Sequence, residues 1–296
     1  STALHALEEA GVKVDVVAAD IGNADDVARV LSLTPRLRGI VHAAGVLDDG
    51  MLMQQTAQRF AKVAAPKVDG AWHLHTQTST HSLDFFVLFS SVASIMGSPG
   101  QSNYASANAF MDGLAHLRRK QGLAATAINW GPWADVGMAA SDVVLQRLMN
   151  DGWQPMNASQ GFEFIAHLLT TRNIPQAAVL PVDWGQFAQR IPGAADWSAL
   201  KHLIPSGQSS PLTASSAEAA AKRVKEAAAD QRADEICSYL LERIAKTLRV
   251  PAADLDEFAQ LSALGVDSLT AVELRIWVQG DLGIELAVEQ LFTTPS

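Results

Sequence analysis

The chain has 296 residues, 48% of them hydrophobic and 18% charged, which is enough apolar sequence for two domains. Its formal net charge of −9 argues against a general affinity for nucleic acid or an anionic membrane, because both require a basic surface. No apolar run approaches the ~20 residues of a membrane helix. Cys237 is the only cysteine, so no internal disulfide can form, and we expect a cytoplasmic protein.

Residues 1–204 alternate short apolar runs with helical stretches. Most of the runs are apolar through their centres, as expected when helices cover both faces of a sheet. The first run alternates in part, so we expect it nearer an edge. The predicted strands are residues 12–18, 37–42, 83–89, 125–130 and 177–182. This order predicts an α/β domain with a doubly wound parallel sheet.

A change in composition separates this domain from the C-terminal part. Residues 205–231 run from a Gly- and Ser-containing stretch into an Ala-rich one without aromatics, which is typical of a linker. Helical spacing of apolar residues returns over 236–248 and again over 269–276. Residues 232–296 hold eleven acidic and five basic residues, so this part carries −6 of the charge. We predict a small helical bundle whose acidic surface either docks on basic partners or is merely solvated.

Three polar side chains are predicted to meet at one end of the sheet. Ser91 ends a predicted strand, and the carboxyl ends of parallel strands are where such sheets bind ligands. Tyr104 and Asn108 lie four residues apart at the start of a helix and therefore share one face. A hydroxyl, a phenol and an amide could then converge on one carbonyl oxygen.

These residues resemble the ketoreductase domain of modular polyketide synthases, a branch of the short-chain dehydrogenase/reductase family with a Rossmann-like fold. In that family a Ser precedes the catalytic Tyr by thirteen residues, as Ser91 precedes Tyr104. The subfamily has Asn four residues after the Tyr and takes its Lys from the preceding helix, matching Asn108 and Lys67. Taken singly, each residue could equally be a packing, capping or solvated side chain.

The resemblance implies a role for each of the four residues. Tyr104 is the general acid that protonates the oxygen of a reduced 3-oxoacyl thioester, and Ser91 holds that oxygen. Lys67 is expected to lower the pKa of Tyr104 by ~1–3 units, and Asn108 to orient Lys67 or a water. We predict no metal, because His73, His75 and His81 have no carboxylate or thiol that completes a ligand set.

The resemblance also implies an NADPH site. The segment that lines the cofactor corresponds to His42, Ala43, Ala44 and Gly45, the one beside the nicotinamide includes Asn129 and Gly131, and the acid near the adenine corresponds to Asp20. Asp20 could equally be a turn or cap residue. The strand, glycine-rich turn and helix that hold the pyrophosphate in such folds do not occur in this sequence, so we expect the polypeptide to extend upstream.

Stereochemistry is predicted from a loop after the second strand. Leu47, Asp48 and Asp49 resemble a motif of B-type reductases, which form the D-hydroxy product, and Met96 stands where A-type enzymes have Trp. The same aspartates could instead form an ordinary turn. Residues 134–151 are predicted to form a lid over the substrate.

The C-terminal part resembles an acyl carrier protein with a four-helix bundle. Gly265-Val266-Asp267-Ser268-Leu269 matches the site at which a phosphopantetheinyl transferase attaches 4′-phosphopantetheine to a serine, here Ser268. An exposed hydroxyl at a helix start suits an incoming phosphate diester, although Ser268 alone could be a helix cap. The implied domains are a ketoreductase (1–204), a linker (205–231) and a carrier (232–296).

Three functions are compatible with these patterns. The first is NADPH-dependent reduction of a carrier-bound 3-oxoacyl thioester, in an assembly with ketosynthase, acyltransferase and, in some modules, dehydratase and enoylreductase domains. The second is a catalytically silent reductase fold beside a working carrier. The third is a free-standing dehydrogenase for a sugar or alcohol, against which the displaced Lys67 and the carrier count.

Overall fold

The computed structural model describes two long parts of the chain and several short ones. The described residues are 2–134, 145, 148–171, 174–190, 197–198, 200, 202–204, 222–224, 226–228, 231–248, 255, 271, 274–275, 278–279 and 282–284. Most of the predicted lid and linker, and Ser268 itself, lie outside these residues. No helix among the described residues is long and apolar enough to cross a bilayer.

Four parallel strands form the sheet in the order β1-β2-β3-β4. Their bounds are Gly39–His42 (β1), Phe85–Ser91 (β2), Thr126–Trp130 (β3) and Gln176–Val179 (β4). Each strand overlaps a predicted one, and the parallel α/β fold is confirmed. Residue pairs Val41–Val87 and Ser91–Trp130 fix the register of the central strands.

The predicted strand at residues 12–18 is wrong. This segment has no strand structure and is exposed, with Val16 78% accessible. A strand requires a neighbouring ladder of hydrogen bonds, and within the described residues nothing pairs with this segment. The backbone carbonyl oxygen of Ala18, in this segment, instead accepts a hydrogen bond from the Arg29 side chain at 2.8 Å.

Nine α-helices are described along the chain, and several begin at side-chain caps. The Asn23 side chain accepts from the backbone at the start of α2, and Asn157 forms a capping box with Gln160 at the start of α7. The bounds are Thr2–Glu9 (α1), Ala24–Ser32 (α2), Ala57–Ala64 (α3), Gly70–Gln77 (α4), Ala93–Met96 (α5), Ser102–Lys120 (α6), Ala158–Thr170 (α7), Trp184–Arg190 (α8) and Arg232–Leu248 (α9); a 3₁₀ turn spans Leu52–Gln54.

The hydrophobic core lies on both faces of the sheet. Phe86 and Leu88 pack with Met111 of α6 on one face, whereas Val87 between them packs with Met156 and Ile128 on the other. All five residues of β3 are buried, as a central strand covered on both sides requires. The two layers position the carboxyl ends of β1, β2 and β3 beside the start of α6.

Two glycines in helices differ in the space around them, which gives a stability prediction. A Cβ on Gly161 in α7 would lie 2.2 Å from the ring of Trp133, which packs against Trp130 and cannot move freely. We expect Gly161→Ala to lower the free energy of unfolding by about 1–3 kcal/mol. Gly113 in α6 has open space, so Gly113→Ala should raise it by about 0.5–1 kcal/mol. Urea denaturation of the two variants measures both changes, and equal shifts would contradict the prediction.

The described C-terminal residues are helical where the sequence predicts helices. α9 covers the first predicted helix of the carrier, residues 271 and 274–275 are helical within the second, and residues 278–279 are helical just beyond it. Tyr239 of α9 is buried against Val278, with Leu240 and Leu282 beside them. The domain boundaries at 204 and 231 remain predictions.

Candidate active site

The four predicted catalytic residues meet at the carboxyl end of β2. Ser91 is the last residue of β2, and Tyr104 and Asn108 lie buried in the first two turns of α6. Lys67 lies in a short π-helical turn, Ala65–Asp69, between α3 and α4. The wider turn interrupts the helix at the residue that must point inward, and such turns recur at functional sites.

Lys67 is a buried ammonium held by neutral acceptors. It is 3% exposed, and its Nζ donates to the Asn108 Oδ1 at 3.0 Å and to the carbonyl oxygen of Phe89 at 3.1 Å. Nζ also lies 5.2 Å from the centre of the Tyr104 ring. Burial lowers the pKa of Lys67 to about 8, and the negative charge of Asp112 opposes that shift. The lysine can therefore still be charged near neutral pH.

Gly45 leaves room for the lysine side chain. A Cβ at this position would lie 2.9 Å from the Cε of Lys67, closer than carbon atoms approach. The glycine predicted to line the cofactor thus also leaves space for the predicted catalytic lysine.

The expected lowering of the Tyr104 pKa is wrong. Burial raises the pKa of Tyr104, while interactions of the phenol with the Ser91 and Asn108 side chains partly oppose the rise. Burial has a larger effect on the Tyr104 pKa than the ammonium of Lys67 has. That ammonium contacts Asn108 and Phe89 and faces the ring of the tyrosine. A phenol with a raised pKa stays protonated at neutral pH, which suits a proton donor.

Asn108 connects the site internally. Its Nδ2 donates to the carbonyl oxygen of Tyr104 at 2.8 Å, which fixes the amide so that Oδ1 faces Lys67. The geometry agrees with the expected orienting role of Asn108. Ser91 is held by its own turn, because its Oγ accepts from the backbone N–H of Ala93 at 3.2 Å.

The predicted cofactor segment follows β1 directly. His42 is buried at the end of the strand, Ala43 and Gly45 are exposed, and Ala44 lies between these extremes. Burial, together with the charge of Lys67, lowers the pKa of His42 to about 4, so the imidazole is neutral. Its Nε2 is buried and has no hydrogen-bond partner among the described residues. A buried ring nitrogen without a partner beside small, accessible residues fits a polar ligand such as the ribose of NADPH.

Asp20 and Asn129 have structural partners of their own. Asp20 Oδ1 accepts from the backbone N–H of Gly22 at 2.9 Å, which is the turn role that the sequence leaves open. The Asn129 side chain is fully buried in a polar cluster with Asp112, and the place of Asn129 beside the cofactor stays a prediction. Gly131 follows β3 and donates its N–H to the carbonyl of Val179 at 3.0 Å.

The Leu47 to Asp49 loop is anchored on two sides. Arg59 of α3 donates from Nε to Asp48 Oδ1 at 2.7 Å and also donates to the carbonyl of Asp49, and Lys62 lies 3.1 Å from Asp48 Oδ2. These cations lower the pKa of Asp48. On the other side, at the start of α6, Gln101 donates to Asp49 Oδ2 at 2.9 Å and Asn103 donates to the Asp48 carbonyl at 2.8 Å.

Leu47 and Met96 occupy different apolar clusters. Leu47 packs beside Val63 and Tyr104, so the loop reaches the predicted catalytic tyrosine. Met96 packs with Phe187 and with Trp153, which lies two residues after the end of the predicted lid. The loop is therefore part of the wall around Tyr104.

The sequence analysis missed a buried carboxylate below the site. Asp112 of α6 binds Asn129 and Ser94, and Asn129 also contacts Ser90. The available signal was spacing, because Asp112 lies eight residues after Tyr104 and four after Asn108, on the same helix face.

Comparison with known proteins agrees with this geometry. Residues 1–135 match the family model of the KR domain, and residues 238–296 match that of the phosphopantetheine attachment site. Polyketide synthase GfsA of Streptomyces halstedii is 39% identical over 305 aligned positions, covering 99% of this chain and 4% of that protein. Phenolphthiocerol synthesis polyketide synthase type I Pks15/1 of Mycobacterium marinum is 36% identical, covering 98% of this chain and 14% of that protein.

Solved structures with the same fold are ketoreductases. A-type ketoreductases from a modular polyketide synthase match at 35% identity and a TM-score of 0.61, covering 71% of this chain and 43% of theirs. The first ketoreductase of the tylosin synthase matches at 32% identity and a TM-score of 0.58, covering 69% of this chain and 44% of its own.

The chain is therefore an α/β reductase domain joined to a carrier domain. It belongs to the modular polyketide synthases, as a ketoreductase domain of the NADPH-dependent class followed by a phosphopantetheine-attachment domain. It spans only a small part of the curated relatives that it matches.

Proposed function

We propose that this chain reduces a 3-oxoacyl thioester, tethered to its own carrier domain, to the 3-hydroxyacyl thioester. The observation that carries the proposal is the buried contact of Lys67 with Asn108 beside the Tyr104 ring, at the carboxyl end of β2. A protein that needed only the fold would have no reason to bury an ammonium, which is costly to desolvate. The contacts of these side chains support catalysis over a silent reductase fold.

Three side chains act on the substrate oxygen. Ser91 donates a hydrogen bond to the carbonyl oxygen and so polarises the bond. Tyr104 transfers its phenolic proton to that oxygen as it becomes an alkoxide, which completes the hydroxyl group. Lys67, whose ammonium lies 5.2 Å from the centre of the ring, would place a positive charge beside the phenolate that remains until solvent restores the proton.

The residues after β1 would hold NADPH. His42, through its unpartnered Nε2, and the exposed backbone of Ala43 and Gly45 would contact the cofactor, with Ala44 and Gly131 leaving space beside it. When bound, NADPH supplies the hydride that adds to the β-carbon of the substrate. Asp20, which is accessible beside its turn, would contact the adenine end.

The stereochemistry that we propose is that of a B-type reductase, with a D-hydroxy product. Leu47, Asp48 and Asp49 support it, because this loop packs beside Tyr104 and is fixed to α3 through Arg59. The same fold occurs in A-type ketoreductases, so the overall fold does not decide between the two products.

The carrier domain would tether the chain through 4′-phosphopantetheine on Ser268. A phosphopantetheinyl transferase would attach the arm, and the thioester would then pass among ketosynthase, acyltransferase and reductase domains of one cytoplasmic assembly, with dehydratase or enoylreductase domains in some modules. The relatives, which are multidomain synthases, support partners of this kind.

Turnover of a short 3-oxoacyl thioester tests the proposal. A polypeptide that carries this chain together with an upstream glycine-rich turn should oxidise NADPH and release the D-3-hydroxyacyl thioester, as measured by absorbance and chiral chromatography. The L product would overturn the B-type assignment alone. No oxidation by a folded protein that binds NADPH would leave a structural reductase fold beside a carrier.

A further inference from the structure

A single buried carboxylate lies beneath the candidate active site. Asp112 lies on α6 and is only 8% exposed. A carboxylate is stable in such a place only when its oxygens accept hydrogen bonds or face a positive charge. The neighbours of Asp112 provide both, and they include residues that the reaction needs.

The first connection leads to the turn after β2. The Ser94 hydroxyl lies 2.6 Å from the Asp112 Oδ2 and 2.8 Å from the carbonyl oxygen of Ser91. Ser94 is in the short helix α5 that follows Ser91 directly. The carboxylate therefore anchors the turn from which the Ser91 hydroxyl reaches the substrate.

The second connection leads through Asn129 of β3. Its Nδ2 lies 3.0 and 2.9 Å from the two carboxylate oxygens of Asp112, and 3.1 Å from the hydroxyl of Ser90. Ser90 in turn donates to the carbonyl oxygen of Asn108, at 3.3 Å. Gln176 fixes the other end of the Asn129 amide, at 3.1 Å. The cluster ties β2, β3, β4 and α6 together.

The third connection is electrostatic. The direct hydrogen-bond acceptors of Lys67 are a carbonyl and an amide, and neither carries a negative charge. Of the ionisable groups around Lys67, His42 is neutral because its pKa is about 4, and Tyr104 is neutral because burial raises its pKa. Asp112 is the described carboxylate whose charge acts on Lys67, and it raises the pKa that burial lowers.

We propose that Asp112 is a positioning residue of the reductase, which fixes the turn carrying Ser91 and supplies the counter-charge for Lys67. Asp112 acts through Ser94, Asn129 and its electric field rather than by touching the substrate. This proposal rests on the reductase function proposed above. Its two parts, one geometric and one electrostatic, are separable by different substitutions.

Titration of Lys67 tests the electrostatic part without any turnover. The titration is followed by the nuclear magnetic resonance signals of isotope-labelled lysine side chains. The signal of Lys67 is identified as the one that is missing from the spectrum of Lys67→Met. We expect its titration midpoint to fall by about one unit in Asp112→Asn. Asp84→Asn, which neutralises an exposed carboxylate paired with Arg38, is the matched control and should leave the midpoint unchanged. An unchanged midpoint in Asp112→Asn overturns this part.

The pH profile of turnover tests both parts together. In Asp112→Asn, Lys67 should lose its proton at a lower pH than in the wild-type protein. The alkaline limb of the pH profile of kcat/KM should therefore move to lower pH. The loss should therefore be larger above a pH of about 8 than at neutral pH. A merely destabilised protein would lose activity equally across this range.

Two further variants separate position from charge. Ser94→Ala keeps the carboxylate, so we expect kcat to fall roughly 10- to 100-fold with no shift of the Lys67 midpoint. Asp112→Glu keeps the charge and should keep the midpoint while lowering kcat, so it tests the geometric part even if Asp112→Asn does not fold. Full kcat in Ser94→Ala contradicts the geometric part. If the wild-type protein reduces no 3-oxoacyl thioester, the proposed function fails. The titration still decides whether the charge of Asp112 acts on Lys67.

Discussion

Tyr104→Phe is expected to remove reductase activity almost completely. No other side chain is assigned the transfer of a proton to the substrate oxygen, so kcat/KM should fall by roughly 10²- to 10⁴-fold. Phe keeps the buried ring and its contact with the ammonium of Lys67, so the fold should persist. NADPH oxidation with a short 3-oxoacyl thioester measures the loss, and a urea denaturation curve measures the fold.

The chain offers a matched control for this variant, because it contains one other tyrosine. Tyr239 is buried in the carrier helix α9 against Val278, and its replacement by Phe should leave reduction of a free thioester unchanged. If Tyr104→Phe retains more than about a tenth of the wild-type rate, another group is the acid and the assigned role of Tyr104 is wrong.

Much of the fold follows from local pattern. Four of the five predicted strands are correct because their centres are apolar enough to be buried on both faces, as Val87 and Ile128 are. Residues 12–18 have a similar composition but lack a described neighbour. Strand formation there depends on a pairing partner, and a pattern within one segment does not reveal whether that partner is present.

The candidate site was predictable in its residue types and only partly in its environment. The thirteen-residue spacing of Ser91 and Tyr104 identifies the pair, but the direction of the Tyr104 pKa depends on how much water the fold excludes. Asp112 was missed because an Asp in a helix usually faces solvent. Only the tertiary contact with Asn129 shows that its carboxylate is buried.

Ser268→Ala is expected to abolish attachment of the tether. With coenzyme A and a phosphopantetheinyl transferase, the wild-type chain should gain the mass of one phosphopantetheine group, and the variant should gain none. In the proposed function the hydroxyl of Ser268 forms the phosphate ester, and alanine has no hydroxyl to replace it. Ser262, six residues earlier in the same domain, provides the matched control, and Ser262→Ala should be modified as completely as wild type.

The same variant separates the two domains functionally. Ser268→Ala should reduce a free 3-oxoacyl thioester at the wild-type rate, because within the described part of the chain the contacts of Lys67 and Tyr104 are with residues 47–108. It should fail to reduce any substrate that must be delivered on the arm, since the tether replaces binding affinity with an effective concentration on the order of millimolar. Modification of Ser268→Ala, detected as a mass increase, would place the attachment site at another residue. Loss of free-thioester reduction in that variant would instead show that the carrier contributes to the reductase site itself.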